Sequence, residues 1–197
     1  MKTIEVGDMP PRIAKLPRDE RGYPIPWNVL IDDNGVPAFT VNDTTKHMDA
    51  IVFGLCPLCG ERLGKYRWFV GGPQSAFDPN GWYFDLPGHK ECEEFALRVC
   101  PWLSARNYEH RVDLLPRMQA KTSTILVDVT QDPNRPILFV AVCSDKMEVM
   151  LGSANLPYVR PKKPILGVQY WQHGKQLSDE EGKKITEEIM KGKIKNE

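Results

Sequence analysis

Apolar and polar positions divide this chain into stretches of different period. "WNVLI" and "AFTV" are short β-type runs on either side of "DDNGVP", and the Asn34-Gly35 step marks a hairpin turn between them. The next stretch, "KHMDAIVFG", predicts a short helix with Met48, Ile51, Val52 and Leu55 on one side and Asp43 or Thr44 as its cap. That helix would deliver the chain directly into Cys56. "YRWFVGG" and "GWYFDL" follow, two aromatic, β-prone runs joined by the turn-rich "PQSAFDPN". In "GHKECEEFALRVCPW" the period changes to that of a helix, with Phe95, Ala96 and Val99 on one face and Pro101 at its end. Glu91, Glu93 and Glu94 lie in or near its first turn, where they complement the helix dipole.

The two ends of the chain differ in texture. Pro10, Pro11, Pro17, Pro24 and Pro26 punctuate the N-terminal segment, which reads as extended because no continuous helix tolerates so many prolines. In the last third, "STILVDVT" and "RPILFVAVC" read as strands joined by the turn "QDPN", with "KMEVML" and "KPILGVQYW" as further strands. Ser178 and Glu181 form a capping box that opens a helix through "DEEGKKITEEIMKG", ended by Gly192. Its thin apolar face (Ile185, Ile189 and Met190) suits the edge of a sheet. The expected class is α+β, in three segments: residues 1–55, proline-rich with a hairpin and a short helix; residues 56–121, a metal-binding module; and residues 122–197, strands closed by a helix.

Composition narrows the function classes. Apolar residues at 41% and charged residues at 26% are those of an ordinary soluble globular protein. Zero formal net charge supplies no overall field to attract nucleic acid or a membrane. The longest apolar runs, such as "PILFVAVC", are far shorter than a membrane span. "MKTIEVGDMPPRIAK" has no apolar core of a secretory signal, so a cytoplasmic location is expected. Five cysteines, an odd number with one tight pair, then point to metal binding before a disulfide framework.

The pattern is Cys56-x2-Cys59 followed by His89-x2-Cys92. Three thiolates and one imidazole are a standard tetrahedral zinc set. In "CPLCG", Pro57 constrains the turn and Gly60 lets the chain fold back with amides towards sulfur. His89 and Cys92, three apart, project from the same side of a first helical turn. Knuckle, hairpin and ligand-bearing helix describe a treble-clef zinc finger with a structural ion. Four ligands leave no position for a reactive water. A zinc deaminase would need a His-x-Glu pair ahead of Pro-Cys-x-x-Cys, and the chain order here is reversed without that pair. An HNH nuclease would need extra histidines and an asparagine around a second metal, and Asn80, Asn107 and His110 are poorly placed for that. Cys100 lies about 12 Å of helical rise beyond Cys92, so Cys100 and Cys143 are read as core residues.

The remaining polar candidates receive plainer readings. His47, between Asp43 and Asp49, is expected on a solvated helix face, and His173 in a turn. "GGPQS" lacks the lysine of a phosphate loop, and no nucleophile elbow occurs. Arg98, Arg106, His110, Arg111, Arg117 and Lys121, with Trp102 and Tyr108 interleaved, form the best nucleic-acid footprint in the chain. A solvated linker has the same composition, and zero net charge favours the linker. Asp128, Asp132, Asp145 and Glu148 would matter to an enzyme only if a deep pocket collected them.

Taken together, "RGYPIPW", "CPLCGERLG", "VGGP", "HKECEEFALRVCPWL" and "VQYWQHGKQLSDEE" resemble an uncharacterised family of bacteriophage and prophage zinc-finger proteins. The resemblance runs from Arg21 to about Glu188. Tyr170-Trp171 stands in place of paired tryptophans, Gly174-Lys175 in place of Gly-Arg, and Gly88 in place of a proline. None of these departures touches the four expected ligands. The resemblance implies a shared architecture and a phage or prophage origin, and supplies no activity. The expected function is that of a non-enzymatic accessory protein with structural zinc, acting in the bacterial host cytoplasm on a host or phage macromolecule, most simply a protein. The alternative is nucleic-acid binding through Arg98, Arg106, Arg111, Arg117 and Lys121.

Overall fold

The computed structural model describes residues 9–104, 135–152 and 157–194. The N-terminal segment is not extended throughout. Pro11 starts a single helical turn, α1 (Pro11–Ala14), where a missing N–H costs nothing, and Pro17 lies beyond its end. Strands β1 (Val29–Ile31) and β2 (Pro37–Asn42) form the expected antiparallel hairpin, with Gly35 in its turn at φ 79°. Helix α2 (Thr44–Phe53) is capped by Asp43, whose carboxylate accepts the Lys46 amide at 3.1 Å.

The buried face of α2 differs from the one predicted. His47 and Ala50 point inward, while Met48, Val52 and Phe53 are exposed. Ile51 and Leu55 pack only partly against the core. The inward face is chosen by what lies beneath it: His47 stacks on Phe84 at 5.6 Å, and small Ala50 lets the helix approach Phe69 and Tyr83.

Strand β3 (Arg67–Gly71) leads into the short helix α3 (Pro73–Phe77), where a turn was expected. "GWYFDL" forms no strand. It makes one bridge, Tyr83 with Val159, and the chain pairs with β3 once more through Trp68 and Gly88. Tyr83, Phe84 and Leu86 are used as core residues. Helix α4 (Lys90–Val99) is followed by one further turn, α5 (Pro101–Ser104), so Pro101 begins a helical turn as well as ending one.

Strands β4 (Phe139–Ser144), β5 (Met147–Leu151), β6 (Pro157–Pro161), β7 (Gly167–Gln172) and β8 (Lys175–Gln176) complete the sheets, and helix α6 (Asp179–Met190) follows. The main sheet is antiparallel, in the order β3-β4-β7-β8. Strands of the 56–121 and 122–197 segments therefore lie side by side. β4 displaces the hairpin partner expected for β3 because all six of its residues are buried, and such a strand must sit centrally with both faces covered.

On one face Leu138, Val140, Val142 and Tyr170 meet Ile189 of α6; on the other Phe139, Ala141 and Trp171 meet Leu97 of α4. The capping box of α6 is formed as predicted, with the Ser178 hydroxyl and the Glu181 side chain each serving the other's backbone. Ile185 and Ile189 pack inward and Met190 is exposed at 41%. Gly182 lies against the Tyr170 ring, so closely that an added Cβ would fall well inside 3.0 Å of it. His173 (φ 50°) and Gly174 (φ 74°) make the two-residue turn between β7 and β8. "STILVDVT", "QDPN", Asp128 and Asp132 lie outside the described residues. The class is α+β.

Candidate metal centre

The first ligand pair is built by local backbone chemistry. Helix α2 ends at Gly54 in the left-handed region (φ 64°), and Leu55 then bridges Arg62. Between them the Cys56 amide donates to the Glu61 carbonyl at 2.9 Å, and the Gly60 amide to the Cys56 carbonyl at 2.8 Å. The Cys59 sulfur receives the backbone hydrogen bond of Glu61. Gly60 is required twice over: its φ is 74°, and a Cβ there would lie 2.6 Å from the Trp27 ring. Trp27 and Asn28 donate their amides to the Leu58 and Pro57 carbonyls, which pins the N-terminal segment onto the knuckle.

The second pair is carried by α4. His89 occupies the N-cap position but makes no side-chain capping bond, and its ring turns to the thiols instead. Cys92 follows in the first turn. The four ligand atoms of Cys56, Cys59, His89 and Cys92 all lie within 4.8 Å of one another, and all four residues are buried.

Nδ1 of His89 is 3.4 Å from the Cys59 sulfur and 3.9 Å from that of Cys92. Ordinary zinc bond lengths in a tetrahedron give ligand–ligand edges of about 3.6 to 3.8 Å, so the distances suit one ion at the centre. The other ring nitrogen lies 3.1 Å from the Arg62 carbonyl. That carbonyl can only accept, so Nε2 carries the proton and the Nδ1 lone pair faces the thiols.

The thiols are electrostatically linked. Hydrogen bonds from Cys56 and then Cys92 hold Cys59 well below the usual thiol range. Cys56 is pushed up, chiefly by its bond to Cys59, and Cys92 by its bonds to Cys56 and Cys59. The three thiols are thus hydrogen-bonded to one another, with Cys59 favoured as the charged member. A divalent cation in the same place would replace the thiol protons and be held by three thiolates at once. The donor set therefore fits a soft divalent metal, and with four protein donors it would hold that metal closed to substrate.

A small apolar shell surrounds the cluster. Met9, Ile13 and Phe95 are buried against Cys56, Cys59 and Cys92, with Leu16, Leu58, Leu63 and Val99 partly buried around them. Helix α1 thus lies over the site, and Arg12 with Glu91 (3.2 Å) and Lys15 with Glu61 (3.0 Å) fix its orientation. Such exposed pairs add little stability, so burial of Ile13 is the stronger tether.

Glu93 departs from expectation. It lies in the first turn of α4 but is only 7% exposed. Burial, then the charges of Asp85 and Cys59, push its carboxyl well above the usual range, so it is no solvated partner of the dipole. Gly88 is the residue that makes room for it, since a Cβ there would collide with the Glu93 carboxyl.

The other predicted residues are dispersed. Cys100 ends α4, half-buried, and Cys143 is buried on β4; neither joins the cluster. His47 is not on a solvated face: it is fully buried, and neither ring nitrogen has a hydrogen-bond partner among the described residues. Burial lowers its pKa to about 4. Its spacing of three from Ala50 is the one sequence signal of that inward position.

Arg98 is exposed on α4, its Nε donating to the Glu94 carbonyl. Arg106, Arg111, Arg117 and Lys121 lie outside the described residues, as do His110 and Tyr108. Asp145 borders an open cavity of about 620 Å³ beside His89, with Trp68, Lys90 and Cys143. Glu148 lies outside that cavity and pairs with Arg160 at 2.9 Å. That cavity therefore holds one of these two described carboxylates, and among the described residues no helix is long and apolar enough to cross a membrane. No protein family, curated protein or solved structure matches the chain.

Proposed function

We propose that Cys56, Cys59, His89 and Cys92 hold a single structural zinc ion in a treble-clef-type finger. We further propose that the protein is a non-enzymatic phage or prophage accessory factor, which binds a host or phage protein in the bacterial cytoplasm. The observation that carries the zinc assignment is the buried, closed set of four donors, with His89 oriented by the Arg62 carbonyl. The knuckle at Cys56–Gly60, the Trp68–Gly88 bridge and the helix bearing the second pair support the treble-clef description. A closed site leaves the ion nothing to activate, which favours binding over catalysis. The phage assignment rests on the resemblance in sequence.

Metal analysis of the purified protein tests the first part: about one zinc per chain is expected, removable only with loss of structure. An affinity pull-down from bacterial lysate, with and without nuclease, tests the second. One stoichiometric protein that survives nuclease supports the accessory reading. Recovery that collapses with nuclease replaces it by nucleic-acid binding.

A further inference from the structure

The two-stranded sheet of β5 and β6 has two unlike edges. Val149 lies opposite Val159 in its register. Val159 donates its N–H to the Tyr83 carbonyl and accepts the Tyr83 N–H, both at 2.8 Å. Within a strand, the N–H and C=O of one residue point to the same side, so Val159 faces Tyr83 and forms a non-hydrogen-bonded pair with Val149. Alternation along the strand then turns the N–H and C=O of Met147, Val149 and Leu151 to the outer edge of β5.

On the outer edge of β6 the corresponding residues are Pro157, Val159 and Pro161. Two lack an N–H and the third is engaged by Tyr83, so that edge is closed to pairing. On β5 all three residues retain their N–H, and the strand contains neither proline nor lysine. Val149, Met150 and Leu151 are 42%, 41% and 62% exposed, so apolar side chains stand on both faces of this edge. Among the described residues nothing pairs with the outward N–H and C=O groups of Met147, Val149 and Leu151, and an apolar edge with such a row of donors and acceptors is a template for another strand.

The residues of β5 match a second copy of themselves. In an antiparallel pair with its two-fold axis at Val149, Val149 meets Val149 of the second copy, and Met147 meets Leu151. All of these carry outward-facing backbone groups, so each pair exchanges two hydrogen bonds. Glu148 falls opposite Met150 and is already held by Arg160 at 2.9 Å, so no like charges meet. An axis at Glu148 would set carboxylate against carboxylate and present backbone groups already used by β6. We propose that the protein forms a homodimer by joining β5 to β5 of a second copy, making one four-stranded antiparallel sheet in the order β6-β5-β5-β6.

The test compares the solution mass of the wild-type chain with that of Val149→Pro, by sedimentation or light scattering. The Val149 N–H serves no bond within β5–β6, so proline removes only the outward donor. A wild-type dimer is expected, and a monomeric variant with unchanged circular dichroism. Should Val149→Pro misfold, Val149→Cys decides: Cα atoms of a hydrogen-bonded pair lie about 5.5 Å apart, within disulfide reach. Mild oxidation should then give a covalent dimer that neither the wild type nor Glu148→Cys forms. A monomeric wild type, a folded Val149→Pro that stays dimeric, or a Val149→Cys that does not cross-link would each overturn the proposal. A monomeric wild type that captures a foreign protein, and loses it in Val149→Pro, would assign the edge to a heterologous strand instead.

Discussion

Replacing Cys59 by serine should cost the protein its metal and the folded state of its N-terminal half. Cys59 is the thiol whose pKa its hydrogen bonds with Cys56 and Cys92 lower, and its sulfur is 3.4 Å from the His89 nitrogen. A serine hydroxyl keeps its proton at neutral pH and is a poor ligand for a soft ion. The apolar shell of the site is small: Met9, Ile13 and Phe95 are its fully buried non-ligand members. At about 1.5–3 kcal/mol for each such side chain, they contribute about 5–9 kcal/mol. A structural zinc contributes about 10–16 kcal/mol, so with zinc bound as proposed the metal would be the larger part of what holds α1, the knuckle and the start of α4 together. The clusters on the two faces of the main sheet contain no ligand, so β4, β7 and α6 should retain protection. Metal content, a thermal melt and hydrogen exchange together read this out. Loss of zinc, an early non-cooperative transition and exchange confined to the first half are expected. Wild-type metal content with a single cooperative melt would refute both the ligand assignment and the energetic argument.

Three other outcomes are expected. His47 is buried and neutral, with a folded-state pKa of about 4 against 6.5 when unfolded; as pH falls through 6.5 the unfolded state takes up the proton first, so stability present above 6.5 declines until about pH 4. The loss is about 3 kcal/mol at 1.36 kcal/mol per unit, and in denaturant titrations across that range His47→Phe should show a flatter profile than wild type; equal slopes would remove His47 as the cause. Gly182→Ala should destabilise by about 1–3 kcal/mol through collision with Tyr170, although alanine is the better helix former; a raised denaturation midpoint would contradict the packing described. Ser178→Ala removes one side of the α6 capping box and should lower stability by about 0.5–2 kcal/mol, measurable as a shift in urea midpoint without change in slope.

What could be read from the chain alone was what short-range chemistry determines. Metal-ligating residue types with two residues between them share a turn whatever surrounds them, so the Cys56–Cys59 and His89–Cys92 pairs were legible. Asn34-Gly35, the Ser178–Glu181 box and a cap at Asp43 or Thr44 were legible for the same reason: each satisfies its own backbone within a few residues. The tertiary structure decided everything that depends on competition between distant segments. β3 pairs with β4 rather than with "GWYFDL", because the fully buried β4 needs cover on both faces and at both edges. α2 turns His47 inward because Phe84 lies beneath it, and Glu93 is buried because Gly88 leaves space. α1 covers the Cys/His cluster through Ile13, which no periodicity in a four-residue turn announces. Local hydrogen bonds and sterics are written in adjacent residues, whereas the choice among long-range partners depends on how much apolar surface each alternative hides, and that sum exists only once the chain has folded.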